Sequence, residues 1–264
     1  MDLTLKGKNA IVTGGSSNIG RSIVSTLAQE GANIVVFDID VSSATKVIEL
    51  VKSEGAIGDL SVKETDITNA ANVTSSVQEV IEKFRQVHIL VNGVGWDETS
   101  PFIGQQAEFH EKVVDINYLG PLNCLRALVP HMAENEYGRV VSLGSDAGRT
   151  GEYQEAVYAG AKAGVIALSK SLAKEVGRQN VTFNVVCPGL TIAEPDSAGQ
   201  ISMWSEEAIK YWTPERRHSA ARRYALKRLG TPQDVANVVV FLASDRCNFV
   251  TGQVWSVSGG YTMS

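Results

Sequence analysis

Residues 9–20 read NAIVTGGSSNIG, a short apolar run that leads directly into a glycine-rich turn. The run predicts a buried strand, and the apolar spacing of residues 19–31 predicts a helix that begins at the turn. Glycine allows a positive φ and a close approach of the backbone. The helix start offers free N–H groups and the positive end of its dipole. The stretch therefore predicts a phosphate-binding turn, with Gly14, Ser17, Asn18 and Ile19 as candidate contacts.

A second type of phosphate loop matches this turn less well. Residues 15–22 read GSSNIGRS, which departs by one residue from the loop of nucleoside-triphosphate hydrolases. That loop requires lysine where this chain has Arg21, and arginine does not replace its compact point charge. We therefore favour a dinucleotide over a nucleoside triphosphate.

Strand and helix patterns alternate along the rest of the chain. This alternation predicts a parallel sheet covered on both faces, in a single doubly wound Rossmann domain with seven strands. Residues 192–228 interrupt the alternation with a long, polar stretch, which we call the lid segment because long connections often cover active sites. The predicted strands are 9–13, 33–37, 60–65, 88–92, 139–143, 182–187 and 253–257, and the predicted helices are 19–31, 41–55, 72–85, 108–133, 156–178 and 232–243.

Composition and charge exclude several classes of protein. The 264 residues carry a net charge of −5 and have no basic tail, which argues against a nucleic-acid partner. The sequence has no apolar run of membrane-spanning length and no signal-peptide core at its start. Three widely spaced cysteines, Cys124, Cys187 and Cys247, predict buried thiols rather than disulfides or a metal site. These features predict a cytoplasmic protein.

The end of the second predicted strand carries an acidic residue, Asp38. A carboxylate at this position accepts hydrogen bonds from the adenosine ribose hydroxyls and repels a 2′-phosphate. No Arg or Lys stands at residues 15–17 or 39–41 to bind such a phosphate. The sequence therefore predicts NAD rather than NADP.

Tyr158 and Lys162 lie four residues apart, on one face of a predicted helix. A free tyrosine has a pKa near 10, and a nearby ammonium favours the phenolate, which suits a general acid and base for a secondary alcohol. Ser145, just after a predicted strand, offers a hydroxyl to a substrate oxygen. Asn117 lies in an otherwise apolar helix, where a buried amide requires hydrogen-bond partners.

Taken together, these residues resemble the short-chain dehydrogenase/reductase family over nearly the whole chain. The resemblance implies that Tyr158 exchanges the proton, Lys162 holds the nicotinamide ribose, Ser145 orients the substrate and Asn117 holds a relay water. It also implies further cofactor contacts at Asp66, Ile67, Asn92, Gly93, Pro188 and Thr191. Asn18 replaces a glycine that is usual in the family, and asparagine tolerates the left-handed conformation that the turn requires.

The residues near the predicted site resemble a narrower group within this family. Trp96-Asp97, Ser145–Arg149, Glu155–Tyr158 and the ending VSGGYTM are similar to 2-hydroxycyclohexanecarboxyl-CoA dehydrogenase and related hydroxyacyl-CoA dehydrogenases of anaerobic aromatic degradation, including one for hydroxybenzylsuccinyl-CoA. The resemblance implies oxidation of a cyclic or aryl β-hydroxyacyl-CoA with NAD. The alternative is a general secondary-alcohol dehydrogenase or 3-oxoacyl reductase that does not use CoA.

Several arginines in the lid segment could bind the phosphates of a CoA thioester, since arginine binds phosphate through two hydrogen bonds. A solvated helix face is the alternative. Arg149 could instead meet a substrate carboxylate or an acidic residue of the lid segment. The predicted substrate contacts are Trp96, Asp146, Arg149, Arg216, Arg217 and Arg222.

The resemblance also implies assembly. The helices predicted at residues 108–133 and 156–178 are similar to those that pair between subunits in the family. We therefore expect a homotetramer or a hetero-oligomer with a paralogous chain.

Overall fold

A computed structural model describes residues 2–197 and 199–263. Its strands are β1 Asn9–Thr13, β2 Asn33–Asp38, β3 Leu60–Glu64, β4 Ile89–Asn92, β5 Gly138–Leu143, β6 Val181–Pro188 and β7 Val254–Val257. They form one parallel sheet in the order β3-β2-β1-β4-β5-β6-β7, which confirms the doubly wound prediction.

Helices cover both faces of the sheet, and each face encloses a hydrophobic core. The helices are α1 Asn18–Gln29, α2 Val41–Ser53, α3 Ala70–Phe84, α4 Ala107–Val114, α5 Gly120–Glu134, α6 Ala147–Thr150, α7 Ala156–Val176, α8 Glu206–Tyr211, α9 Pro214–Ala221 and α10 Pro232–Leu242. One core packs α1, α2 and α10 against the sheet, and the other packs α3, α5 and α7 against the opposite face. No helix in the described part of the chain is long and apolar enough to cross a bilayer.

The predicted helix at residues 108–133 is divided in the structure. A π-helical turn, Asp115–Leu119, separates α4 from α5 and contains the buried Asn117. The prediction of one uninterrupted helix was wrong, because the apolar spacing continues through residues 115–119, where the backbone hydrogen bonding is π-helical instead of α-helical. Such turns are frequent at functional sites.

The strand order reverses between β1 and β4, which places a crevice at the carboxyl ends of these strands. The Thr13 hydroxyl at the end of β1 accepts a hydrogen bond from the Gly93 N–H, 3.0 Å away, just after β4. Ligands of open α/β sheets bind at this kind of reversal. The fold therefore directs attention to the crevice above Thr13 and Asn92.

Candidate active site

The glycine-rich turn between β1 and α1 is shaped by close backbone contacts. A side chain at Gly20 would place its Cβ 1.8 Å from the Gly14 carbonyl oxygen, so only glycine lets α1 begin this close to the turn. Gly14 itself has a φ of +70°. Asn18 takes a φ of +42°, as expected for an asparagine in a glycine position, and its amide donates to the Thr191 carbonyl 3.0 Å away.

Asp38, at the end of β2, faces this turn. Its carboxylate accepts from the backbone N–H groups of Ser16 and Asp40, each at 3.0 Å. Burial raises its pKa, and those two N–H groups lower it in part. The carboxylate thus stands beside the turn, where the sequence placed it.

Asp40 ties the lid segment to the same region. Its Oδ2 accepts the backbone N–H groups of Gln200 at 2.7 Å and Ile201 at 3.1 Å, and its Oδ1 accepts that of Ser43. On the other side of Ala198, which lies outside the described residues, the Asp196 carbonyl accepts from Arg21 in α1. The lid segment therefore crosses directly beside the glycine-rich turn.

Asn117, in the π-helical turn, connects α4 to the loop after β4. Its Nδ2 donates to the carbonyl oxygens of Trp96 at 2.6 Å and Val113 at 2.8 Å, and its Oδ1 accepts from the Trp96 N–H. The buried amide is thereby satisfied, as the sequence required. A Cβ at Gly95 would lie 3.2 Å from Lys162 Nζ and 3.3 Å from Asn117 Oδ1, so these two polar groups flank Gly95.

Tyr158 and Lys162 meet on one face of α7, as predicted. Lys162 is 2% exposed and donates from Nζ to the Leu143 carbonyl 3.0 Å away, with Nζ 5.5 Å from the centre of the Tyr158 ring. The Ser145 hydroxyl, two residues beyond β5, accepts from the Ala147 N–H 3.1 Å away and partly lowers the pKa of Tyr158 by hydrogen bonding. The structure thus brings Asn117, Ser145, Tyr158 and Lys162 together.

Burial shifts the pKa values of both members of this pair. Burial, followed by the negative charge of Glu155, raises the pKa of Tyr158 above its ordinary value. Burial also lowers the pKa of Lys162 to about 8. Burial thus outweighs the Ser145 hydrogen bond at the phenol, and the effect of the Lys162 ammonium on Tyr158 stays a prediction.

The remaining predicted cofactor contacts differ in their burial and in the use of their side chains. Asn92 and Thr191 are buried, whereas Asp66 is exposed and uses its carboxylate within its own turn, where it accepts from Thr68. Three of the predicted contacts share a place at the end of a strand or just beyond it: Ile67, Gly93 and Pro188.

The predicted substrate contacts fall into two groups. Trp96 lies next to Asn117, and Lys112 Nζ stands 3.6 Å above the centre of its ring. Asp146 and Arg149 pair with each other at 3.2 Å, and the second Asp146 oxygen accepts from Ser256. The pair lies beside Ser145, but its charges are already matched.

Two of the three predicted lid arginines, Arg216 and Arg217, also have partners in the chain. Arg216 is exposed and stacks on Tyr211, with its guanidinium carbon 3.9 Å from the ring centre. Arg217 forms a 2.7 Å ion pair with Glu194, and Arg222 is exposed at the end of α9. A role for them in CoA binding stays a prediction.

Comparisons with known proteins match this geometry. The family model described as enoyl-(acyl carrier protein) reductase matches residues 14–262. The chain belongs to the short-chain dehydrogenase/reductase family. A 3-oxoacyl-[acyl-carrier-protein] reductase FabG from Staphylococcus aureus is 32% identical over 257 residues, 97% of this chain and 98% of the relative. The FabG of Thermotoga maritima is 31% identical over 259 residues, 98% of this chain and 99% of the relative.

A solved structure agrees with the family assignment. The crystal structure of gox2181 superposes with a TM-score of 0.88 at 31% identity, covering 98% of this chain and 97% of that one. Fold and family thus rest on full-length similarity in both sequence and structure.

Members of the short-chain dehydrogenase/reductase family use a nicotinamide cofactor, and the described residues fit one. Gly14 and Gly20 keep the turn free of side chains where a pyrophosphate would lie. Asn18 Oδ1 is buried without a hydrogen-bond partner among the described residues, as expected of a polar group beside a ligand site. When bound, the nicotinamide ring supplies the group that gives or takes the hydride.

Sequence reasoning did not find two functional candidates. Asp40 was not noticed because an acidic residue before a helix is an ordinary N-cap, and its contacts to the lid segment span 160 positions. Glu155 was noted only as part of a stretch that resembles the narrower group, and no role was assigned to it. The available signal was its position three residues before Tyr158, at the N-cap of α7.

Proposed function

We propose that this short-chain dehydrogenase/reductase interconverts a secondary alcohol and a ketone with NAD, without requiring CoA. The observation that carries the proposal is the grouping of Tyr158 and Ser145 with the buried Lys162 and Asn117, whose polar atoms flank Gly95. In the oxidising direction the hydroxyl proton passes to Tyr158 while the carbinol hydrogen leaves as hydride. Reduction reverses both transfers.

Each side chain has a distinct task in this scheme. Tyr158 must release its own proton before it can accept one, and its raised pKa opposes that release. Ser145 lowers the pKa of the phenol and can hold the substrate oxygen. Lys162, fixed by the Leu143 carbonyl, keeps its charge near the ring, and Asn117 fixes the backbone of Trp96 at the edge of the site.

NAD is preferred over NADP in this proposal because of Asp38. Its buried carboxylate adjoins the glycine-rich turn, and an additional phosphate there would meet a negative charge without a neighbouring Arg or Lys at residues 15–17 or 39–41.

The expectation of a cyclic or aryl CoA thioester receives less support. The FabG relatives are named for acyl-carrier-protein substrates. Arg217, one of the predicted phosphate contacts, already pairs with Glu194. These observations favour the alternative of a ketone or 3-oxoacyl reductase over an aromatic CoA dehydrogenase.

A spectrophotometric assay of NADH and NADPH tests the proposal. We expect turnover of secondary alcohols or of the matching ketones, with higher kcat/KM for NAD(H) than for NADP(H). A CoA thioester should be turned over no better than the same acyl group on a short thiol. Turnover confined to the CoA thioester would contradict the proposal and restore the earlier expectation.

We also propose that the protein is a homotetramer. Phe249 is fully exposed, and Trp255 on the edge strand β7 is 38% exposed, which agrees with a covered surface in an assembly. Light scattering at known concentration measures the mass directly, and a monomer of 28.3 kDa would contradict the proposal.

A further inference from the structure

Helix α6 begins just after Ser145 and packs on one side against α7. Ser145 Oγ accepts the Ala147 N–H at 3.1 Å, so the hydroxyl proton stays available to a substrate oxygen. The Ser145 carbonyl accepts the Gly148 N–H at 3.0 Å. A Cβ at Gly148 would lie 2.8 Å from the backbone of Lys162, so α6 touches α7 directly there. The place of Ser145 relative to α7 therefore depends on where α6 lies.

The edge strand β7 holds α6 through Asp146. This residue is 4% exposed, and its two carboxylate oxygens have different partners. One oxygen accepts from Arg149 within α6 at 3.2 Å, and the other accepts from the Ser256 hydroxyl of β7 at 2.6 Å. Since Asp146 directly follows Ser145, the bond to Ser256 joins the active-site loop to a strand 110 positions away.

The bond between Ser256 and Asp146 is the last in a directed chain of hydrogen bonds. The single proton of the Ser256 hydroxyl goes to Asp146, so the Ser258 hydroxyl 2.8 Å away donates to Ser256. Ser258 is 5% exposed and accepts in turn from the Thr262 N–H at 3.4 Å. Both hydroxyls thus donate one hydrogen bond and accept another. A buried polar network that is satisfied in this way makes its surroundings rigid.

The burial and the partners of Asp146 suit positioning better than contact with a substrate. Both carboxylate oxygens already bind groups of the chain, and a carboxylate that loses such a partner while buried is destabilised. A positioning role keeps both bonds in place.

We infer that Asp146 and Ser256 are positioning residues, which hold α6 so that the Ser145 hydroxyl meets the substrate oxygen. Without the bond between them, α6 and Ser145 lose their attachment to β7. A misplacement of about 1 Å at a reacting group lowers turnover by up to about a hundredfold. The inference rests on the proposed function, since it takes Ser145 as the group that holds the substrate oxygen.

A double-substitution experiment separates positioning from general support of the fold. We would measure kcat and KM with NADH for ethyl acetoacetate, or for another ketone of the assay above if that ketone is reduced faster. The enzymes are wild type, Ser256→Ala, Ser145→Ala and the double variant. If Ser256 acts through Ser145, its removal matters only while the Ser145 hydroxyl is present.

Two further variants complete the experiment. Thr251→Ala is the matched control, because the Thr251 hydroxyl accepts the Phe183 N–H of β6 at 3.0 Å and has no bond to Asp146. This control also removes one hydrogen bond that holds the β7 side of the sheet. Asp146→Asn, alone and with Ser145→Ala, keeps the size of the side chain and removes its charge. Urea unfolding and NADH binding are measured for every variant.

We expect Ser256→Ala to lower kcat by about tenfold while NADH affinity stays within about twofold of wild type. Ser145→Ala should lower kcat by about a hundredfold, and adding Ser256→Ala to it should change kcat by less than about twofold. Asp146→Asn should give the same pattern. Thr251→Ala should keep the kcat of wild type, whatever stability it loses.

Three results would overturn the inference. They are a kcat within about twofold of wild type in both Ser256→Ala and Asp146→Asn, an equal loss with and without the Ser145 hydroxyl, and a loss in Thr251→Ala as large as that in Ser256→Ala. Each of these leaves the proposed function intact if Tyr158→Phe abolishes turnover. Turnover that survives Tyr158→Phe, or reduction of no ketone by wild type, overturns the proposed function instead.

Discussion

The attachment of the lid segment to Asp40 gives a quantitative prediction for Asp40→Asn. The native carboxylate accepts the Gln200 and Ile201 N–H groups at 2.7 and 3.1 Å, together with the N–H of Ser43. The substitution keeps the size of the side chain but removes its charge. It therefore weakens the hold on the lid segment without opening a cavity.

The magnitude follows from the hydrogen bonds and from the pKa. Burial opposes the charge of Asp40, but the N–H groups of Ser43, Gln200 and Ile201 and the Ser43 hydroxyl outweigh it and lower its pKa to about 2. Because the pKa of Asp40 is lower in the folded protein than in the unfolded chain, its carboxylate stabilises the fold at pH values above the ordinary pKa. This stabilisation is lost as the pH falls through about 2. A shift of this size corresponds to about 2 kcal/mol at neutral pH, and asparagine keeps part of the hydrogen bonding. We expect a loss of about 1–2 kcal/mol, equal to about a five- to thirtyfold easier local opening.

Hydrogen–deuterium exchange of residues 199–204 measures this opening, because the Gln200 and Ile201 amides are the donors concerned. Exchange should be about five- to thirtyfold faster in Asp40→Asn. Thr45→Ala is the matched control, since it removes a hydroxyl of α2 that donates to the Val41 carbonyl and leaves the Asp40 carboxylate in place. Equal exchange in wild type and Asp40→Asn would refute the reasoning.

Three further substitutions test the turn, the cofactor preference and the buried lysine. Gly20→Ala should reduce NADH affinity and destabilise the fold by about 1–3 kcal/mol, because its Cβ would lie 1.8 Å from the Gly14 carbonyl oxygen. Calorimetric titration measures the affinity and urea unfolding measures the stability, and unchanged values of both would contradict this close contact. Asp38→Ala should lower the NAD-over-NADP ratio of kcat/KM by about tenfold or more through loss of the ribose contact and of the repulsion, and a constant ratio would contradict our assignment. Lys162→Met should abolish turnover yet raise stability at neutral pH, because burial lowers the lysine pKa to about 8 and so penalises the ammonium. Between pH values of about 8 and 10.5 the unfolded chain binds more protons at this lysine than the folded chain does. The free energy of unfolding of the wild type should therefore rise with pH across this range, and urea unfolding of Lys162→Met should not show this rise.

Much of the fold could be predicted because its signals are local. The strand that ends at Thr13, the glycine-rich turn and α1 occupy one continuous stretch, and strand–helix alternation restricts the topology. The four residues Asn117, Ser145, Tyr158 and Lys162 were found from their types and spacing, and the structure brings them together. The three cysteines are buried and free, as predicted.

Features that depend on distant contacts could not be predicted. The π-helical turn at Asn117 leaves the apolar pattern intact, so the sequence reads as one helix. The tie from Asp40 to Gln200 joins parts of the chain with no common pattern. The burial of Lys162 could not be predicted either, since a four-residue spacing shows that Lys162 is near Tyr158 but does not show how deeply the lysine is buried.

Turnover by Tyr158→Phe, measured beside NADH binding, tests the central claim most directly. The substitution removes only the phenolic oxygen that exchanges the proton. We predict that kcat falls by about a hundredfold or more, in line with loss of a general acid and base, while NADH affinity stays within about threefold of wild type. A Tyr158→Phe protein that binds NADH normally and retains wild-type kcat would contradict the account.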